Sequence, residues 1–125
     1  MILRTARHTS RLKAITRFYI EIIGLSILGE FSNHDGYDGV FLGLPGSSWH
    51  LEFTSSASAA IEAFNEDDLL VFYPETQQAY DQMLANIQAH NIKTFQAKNP
   101  YWSRNGVLVN DPDGYGVIIC PLKIK

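Results

Sequence analysis

An internal repeat constrains the fold of this chain more than any other feature of its sequence. Three pairs of turn-forming residues are each 67 positions apart: Gly24 and Asn91, Gly39 and Gly106, Pro45 and Pro112. The segments GVFLGLPG and GVLVNDPDG begin at the second of these pairs and have the same pattern of an apolar strand followed by a turn. A repeat of this kind indicates two copies of one supersecondary unit. We therefore interpret residues 1–125 as a single domain with a first module (1–56), a linker (57–66) and a second module (67–125).

The hydrophobic pattern gives both modules the same order of elements. In the first module it predicts a strand at 3–9, a helix at 12–23, and strands at 25–31, 39–44 and 49–54. In the second it predicts a strand at 67–73, a helix at 76–90, and strands at KTFQ, GVLVND and YGVIICPL. We expect Ser10 to cap the first helix, and Gly24 and Asn91 to end the two helices in the left-handed conformation.

This order predicts an α+β fold made of two βαβββ modules. Two such modules can join into a curved mixed sheet, with the helices on the convex side and a concave cup on the other. Successive side chains of a strand point to opposite faces, so WHLEFT (49–54) has one apolar face and one polar face. We expect Trp49, Leu51 and Phe53 to pack on the helices, and His50 and Glu52 to face the cup.

Composition excludes several classes of function. The net charge of −3 and the pI near 5.7 argue against a nucleic-acid partner, which requires a basic surface. No apolar run approaches the roughly 18 residues of a membrane span. Cys120 is the only cysteine, which suits a reducing cytoplasm. There is no phosphate-binding loop, Cys-x-x-Cys or His-Glu-x-x-His motif, so we expect no cofactor.

Several motifs resemble the vicinal-oxygen-chelate superfamily, which includes glyoxalase I, bleomycin-resistance proteins, extradiol dioxygenases and fosfomycin-resistance transferases. The resemblance is carried by FY and GL at the end of the first helix, by the HLEF strand and by the closing DPDGYGVII. The segments HDGYDGV, WHLEFT, NPYW and DPDGY are most similar to a small single-domain branch of that superfamily. The resemblance covers nearly the whole chain and implies the fold. It also implies a homodimer, because such cups are often closed by a second subunit.

The resemblance also places four positions where metal-dependent members bind a divalent metal. In this chain they are Arg4, Glu52, Asp68 and Ile118. A cation, two acids and an isoleucine make a poor metal site, so we expect none. Arg4 would replace the ion as the local cation by pairing with one of the two carboxylates.

Further residues are candidates for ligand binding. By parity His8 shares a face with Arg4, which would put Arg7 on the helix side; that is an unusual place for a charge, so the register of this strand stays open. The segment NPYWSRNG (99–106) is predicted to be a loop, in which Asn99, Tyr101 and Trp102 border the ligand or else the two rings plug the sheet edge.

Three functional hypotheses remain. The leading one is a metal-free cup that binds a cationic or aromatic small molecule, in the manner of the bleomycin-resistance proteins. The second is a divalent-metal-dependent lyase, isomerase or dioxygenase of the same superfamily. The third is a non-catalytic protein whose cup is filled and which acts through a partner surface.

Overall fold

Two similar α+β units make up the structure. The computed structural model describes all 125 residues, and the chain divides into compact units at Met1–Glu62 and Ala63–Lys125. The boundary lies within the predicted linker, so we call these units the first and second module. Each contains one four-stranded mixed sheet, which confirms the α+β class.

The first module is a βαβββ unit. Its elements are β1 (Leu3–His8), α1 (Leu12–Phe18), β2 (Ser26–His34), β3 (Tyr37–Gly43) and β4 (Trp49–Ser55). The strand order is β1-β4-β3-β2, in which β1 runs parallel to β4 and the other neighbours are antiparallel. The long connection through α1 is what allows the first and last strands to lie side by side in parallel.

The predicted helix at 12–23 forms in two parts. After α1 the chain continues as a π-helical turn at Tyr19–Ile23, and Gly24 ends it with φ of 89°. This left-handed conformation is open to glycine at little cost, which confirms Gly24 as the stop. The apolar side of the helix packs on the sheet, where the Tyr19 ring stacks on Phe53 with 5.1 Å between ring centroids.

The expected cap at Ser10 is wrong. The hydroxyl oxygen of Ser10 accepts a hydrogen bond from the backbone N–H of Ala60 at 2.9 Å. Arg11 occupies the N-cap position without a side-chain cap, and its backbone N–H donates to Thr9 Oγ1 instead. Ser10 therefore fixes the segment that follows β4 rather than the start of the helix.

The second module repeats the topology with one added helix. Its elements are β5 (Leu69–Phe72), α2 (Gln77–Ala89), β6 (Thr94–Phe95), α3 (Pro100–Asn105), β7 (Val107–Asn110) and β8 (Gly116–Ile119). The strand order is β5-β8-β7-β6, again with the first and last strands parallel. Thr76 caps α2 by accepting from the N–H of Ala79, and Asn91 follows the helix with φ of 53°, as predicted.

Helix α3 corrects the prediction of a loop at 99–106. Asn99 is its N-cap and Pro100 its first residue, an arrangement that favours helix initiation. The segment is too short to show an apolar repeat, so its sequence pattern did not reveal the helix.

Candidate functional site

The first-module sheet presents two chemically different faces. Phe53 and Leu51 of β4 are buried, and Phe53 contacts the helix through Tyr19. The intervening residues lie on the opposite face, and residues paired across neighbouring strands share that face. We call this surface the polar face. Through the strand register its members are Arg4 and His8 of β1, His50, Glu52 and Thr54 of β4, Phe41 of β3 and Phe31 of β2.

The register of β1 places Arg4 beside His50. The two residues are paired across the parallel strands, and Arg4 Nε donates a hydrogen bond to His50 Nε2 at 2.8 Å. Arg7 is instead paired with Phe53, on the helix side, and its guanidinium carbon lies 4.9 Å from the centre of that ring. Contact with an aromatic face is one way in which the charge of Arg7 is accommodated there.

The contact between Arg4 and His50 determines the hydrogen-bonding state of the imidazole. An arginine Nε–H can only donate, so His50 Nε2 must accept through its lone pair. In this arrangement the ring is neutral and its hydrogen is on Nδ1. The guanidinium carbon also lies 4.4 Å from the centre of the Phe41 ring, which packs edge-on against His50. Arg4, Phe41 and His50 therefore form one cluster on the polar face.

Glu52 lies next to this cluster without joining it. Its neighbours across the sheet are Ala6 on β1 and Phe41 on β3. The predicted ion pair between Arg4 and Glu52 is not formed, because Arg4 lies two residues away along β1, opposite His50. The half-buried carboxylate of Glu52 forms no hydrogen bond or ion pair with the protein. It is available to a ligand that carries a hydrogen-bond donor or a positive charge.

His8 has a complete set of protein partners. Its Nε2 donates to the carbonyl of Ser58 at 3.0 Å, and Nδ1 contacts the hydroxyl of Thr54 at 2.9 Å. Its ring also packs edge-on against Tyr37. These contacts tie the segment after β4 to the end of β1 and account for His8 as a structural residue, although it lies on the polar face.

The second module places apolar residues at the corresponding positions. Arg4 lies seven residues before the N-cap of α1 and pairs two positions before Glu52. Leu69 lies seven residues before the N-cap of α2 and pairs with Gly116, two positions before Ile118. The counterpart of Arg4 is therefore Leu69 and not Asp68, which is exposed immediately before β5.

The donor set does not fit the metal centre that the superfamily resemblance implies. Leu69 and Ile118 offer no ligand atom, and Arg4 is a hydrogen-bond donor to His50. No three His, Cys, Asp or Glu side chains lie close enough together to hold a metal ion. Of the four superfamily positions, only that of Glu52 has a side chain that could act as a metal ligand.

The two aromatic residues of α3, Tyr101 and Trp102, contact each other, but only Trp102 lines a cavity. Trp102 lines a cavity of about 500 Å³ in the second module, whereas Tyr101 packs edge-on against Trp102 at 4.8 Å between ring centroids. Asn99 accepts a hydrogen bond from the backbone N–H of Tyr101. The cap accounts for Asn99 without a ligand.

Two apolar residues, Phe41 on the polar face and Leu108 at the cavity, were not among the candidate residues predicted from the sequence. In the sequence, Phe41 and Leu108 each belong to a short apolar strand pattern and to no distinguishing motif. Only the strand register places Phe41 on the same face as Glu52, and Leu108 on the same face as Ile118. Separately, none of the helices has the length and apolar character needed to cross a membrane.

Comparison with known proteins identifies the family. The profile of the YycE-like N-terminal domain matches residues 3–54, and that of the YycE-like C-terminal domain matches residues 67–120. The Bacillus subtilis protein YycE is 39% identical over 117 residues, which are 93% of this chain and 84% of that protein. This chain belongs to the YycE-like family.

Solved structures of similar proteins agree with this assignment. The crystal structure of B. subtilis YycE, a protein of unknown function and a candidate glyoxalase/fosfomycin resistance protein, superposes with a TM-score of 0.85 over 99% of this chain and 90% of its own. Leishmania major glyoxalase I superposes with a TM-score of 0.76 at 23% identity, over 98% and 87% of the two chains. An antibiotic-binding protein from a Streptomyces species has a TM-score of 0.67 at 16% identity, over 97% and 94%. The YycE-like fold is thus consistent with the vicinal-oxygen-chelate superfamily.

Proposed function

We propose that this YycE-like protein binds a cationic or aromatic small molecule on the polar face and does so without a metal ion. The observation that carries the proposal is the free carboxylate of Glu52 beside the Phe41 ring. A carboxylate without a protein partner is suited to a positively charged nitrogen on an aromatic or alkyl group. One face of the Phe41 ring is already covered by the guanidinium of Arg4, so the ligand meets the carboxylate rather than that face. The antibiotic-binding relative gives a precedent for ligand binding on this fold, at the level of the fold only.

The contact between Arg4 and His50 supports binding without a metal. In the superfamily a metal ligand stands at the Arg4 position, and here that side chain brings its own positive charge. Its hydrogen bond also uses the Nε2 lone pair of His50, which is therefore not available to an ion in the present arrangement. A metal-dependent enzyme would have to recruit other donors, and this is the alternative that the experiment below can reveal.

The test is a binding measurement with Glu52→Gln. We expect cationic aromatic compounds, such as benzyltrimethylammonium or tryptamine, to raise the melting temperature and to bind measurably in calorimetry. Removing the charge should weaken the affinity about tenfold, because hydrogen bonds and contacts to a charged group are worth about 1.5 kcal/mol or more. The variant itself should be as stable as the original protein, since Glu52 has no protein partner to lose.

Glu30→Gln is the matched control. Glu30 is an exposed carboxylate of the same sheet, but it pairs with Val40 and lies on the other face of β2. The Glu30→Gln variant should leave the affinity for the cationic compounds unchanged. Equal effects of Glu30→Gln and Glu52→Gln would contradict the proposal.

Metal analysis after exposure to Zn²⁺, Ni²⁺, Mn²⁺ or Fe²⁺ provides a second test. A stoichiometric ion that is lost in Glu52→Gln would favour the metal-dependent enzyme.

We also propose that the protein is a cytoplasmic homodimer. The buried free thiol of Cys120 suits a reducing compartment. Ile2 and Leu3 at the start of β1 are 72% and 61% exposed, and such apolar side chains are suited to contact a second copy. Sedimentation equilibrium should give twice the monomer mass, and Leu3→Glu should shift the equilibrium toward monomer. A monomer at all accessible concentrations would contradict this.

A further inference from the structure

The second module contains a cavity that is a further candidate site. Its volume of about 500 Å³ lies in the range typical of small-molecule pockets, roughly 300–1,000 Å³. The residues that line it are Thr94, Phe95, Gln96, Ala97, Trp102, Ser103, Gly106 and Leu108. They come from β6, the segment after it, α3 and the start of β7, so the cavity lies within one module.

The apolar part of the cavity is built by two strands and one helix. Phe95 and Leu108 are paired across β6 and β7 and share one face of the sheet. Helix α3 follows β6 after a short connection and contributes Trp102. At the end of α3, Gly106 lies so close to Ile118 that a side chain there would clash with it. The glycine therefore allows α3 to remain near the sheet, with the indole at the edge of the cavity.

Polar groups at the cavity lack partners within the protein. The indole N–H of Trp102, the carboxamide of Gln96 and the hydroxyl of Thr94 form no hydrogen bond with other residues. By contrast, the hydroxyl of Ser103 donates to the carbonyl of Pro100 at 3.0 Å. Three groups that can donate hydrogen bonds are thus available beside an aromatic and aliphatic surface.

The segment of the chain that contributes the lining residues is basic, unlike the chain as a whole. Residues 91–110, which include every lining residue, contain three cations and no acid. These are Lys93, Lys98 and Arg104, and none of them forms an ion pair. The ammonium nitrogen of Lys93 lies 5.1 Å from the centre of the Phe95 ring. Exposed cations with no counter-charge raise the local concentration of anions.

We propose that this cavity binds a planar aromatic molecule that bears an anionic group, such as an aryl carboxylate. The ring packs against Trp102, Phe95 and Leu108, and the anionic group lies toward the lysines and arginine. This site does not rest on the function proposed for the polar face, and the opposite charge preference of the two sites makes their tests distinguishable.

The experiment compares three probes by two-dimensional ¹H–¹⁵N NMR. We expect 2-naphthoate to shift the Trp102 indole signal and the amides of residues 94–97 and 108 in a saturable manner. The cation 2-naphthylmethylammonium should bind at least about threefold more weakly at low ionic strength, and cyclohexanecarboxylate should bind more weakly because it lacks a planar ring. Trp49→Phe identifies the Trp102 signal, since the chain has two tryptophans.

Two variants test the residues. Lys98→Gln/Arg104→Gln should weaken 2-naphthoate about threefold or more, whereas Lys13→Gln/Arg17→Gln, which removes the same charge from exposed positions of α1, should not. Trp102→Leu should weaken it about tenfold while the remaining amide signals show that the protein is folded. The proposal is overturned if naphthoate fails to shift these signals, if the cationic probe binds equally well, or if the two charge variants behave alike.

Discussion

Replacing Ile118 with glutamate is expected to lower the free energy of unfolding by about 3 kcal/mol or more. Ile118 stands where metal-dependent members of the superfamily have a carboxylate ligand, but here it is fully buried between Val71 and Leu108 on the neighbouring strands. A carboxylate at this position loses its hydration without gaining a partner, because no other donor set is present to bind an ion with it. Urea unfolding followed by circular dichroism measures the effect.

The matched control for this change is Ile118→Val, which keeps the position apolar. It removes one methylene group and should cost about 0.5–1.5 kcal/mol. If Ile118→Glu kept nearly the original stability, or regained it on addition of Zn²⁺ or Ni²⁺, the position would be able to hold a metal ligand. That result would weaken the proposal of a metal-free protein.

Replacing Phe53 with alanine is expected to cost about 3–5 kcal/mol, the usual range for a buried phenylalanine. Its ring is 2% exposed, stacks on Tyr19 and lies under the guanidinium of Arg7. Removal leaves a cavity between α1 and the sheet, and it also removes the aromatic contact of Arg7. The loss is a large part of the total stability of a small domain, so the variant is best studied at low temperature or with a bound ligand.

The adjacent residue, Thr54, supplies the contrast. It lies on the polar face, and its hydroxyl contacts His8 Nδ1 at 2.9 Å. Thr54→Ala should therefore cost only about 1 kcal/mol, the value of one hydrogen bond. Parallel urea titrations of the two variants test the division of β4 into an apolar and a polar face. Similar losses at the two positions would show that both sides of the strand are packed equally, which would leave little room for a ligand beside Glu52.

The surroundings of Glu52 and of Trp102 are the reason why we propose ligands of opposite charge for the two sites. The first has a free carboxylate on the polar face, and the second has hydrogen-bond donors at the cavity and three cations in the same segment of the chain. The sequence predicted a cationic or aromatic ligand for the protein as a whole. Local charge can differ from the net charge, because exposed charges more than about 10 Å apart are largely screened from one another at ordinary ionic strength.

The sequence alone determined the module topology and the faces of the main strand. The 67-residue repeat predicted two βαβββ units, and both left-handed helix stops, at Gly24 and Asn91, were correctly identified. The alternation in WHLEFT predicted that Phe53 is buried and Glu52 lies opposite. These features depend on local conformation and on side-chain periodicity, which neighbouring residues specify without reference to the rest of the chain.

Only the tertiary structure decided which side chains meet. Arg4 pairs with His50 rather than Glu52, and Leu69 rather than Asp68 is the counterpart of Arg4, because both relations depend on the register between strands that are more than 40 residues apart in sequence. Ser10 binds the N–H of Ala60 instead of capping α1 for the same reason: a distant backbone group competes for its hydroxyl. A shift of one residue in register exchanges the two faces of a strand, so local pattern specifies the faces and long-range packing specifies the partners.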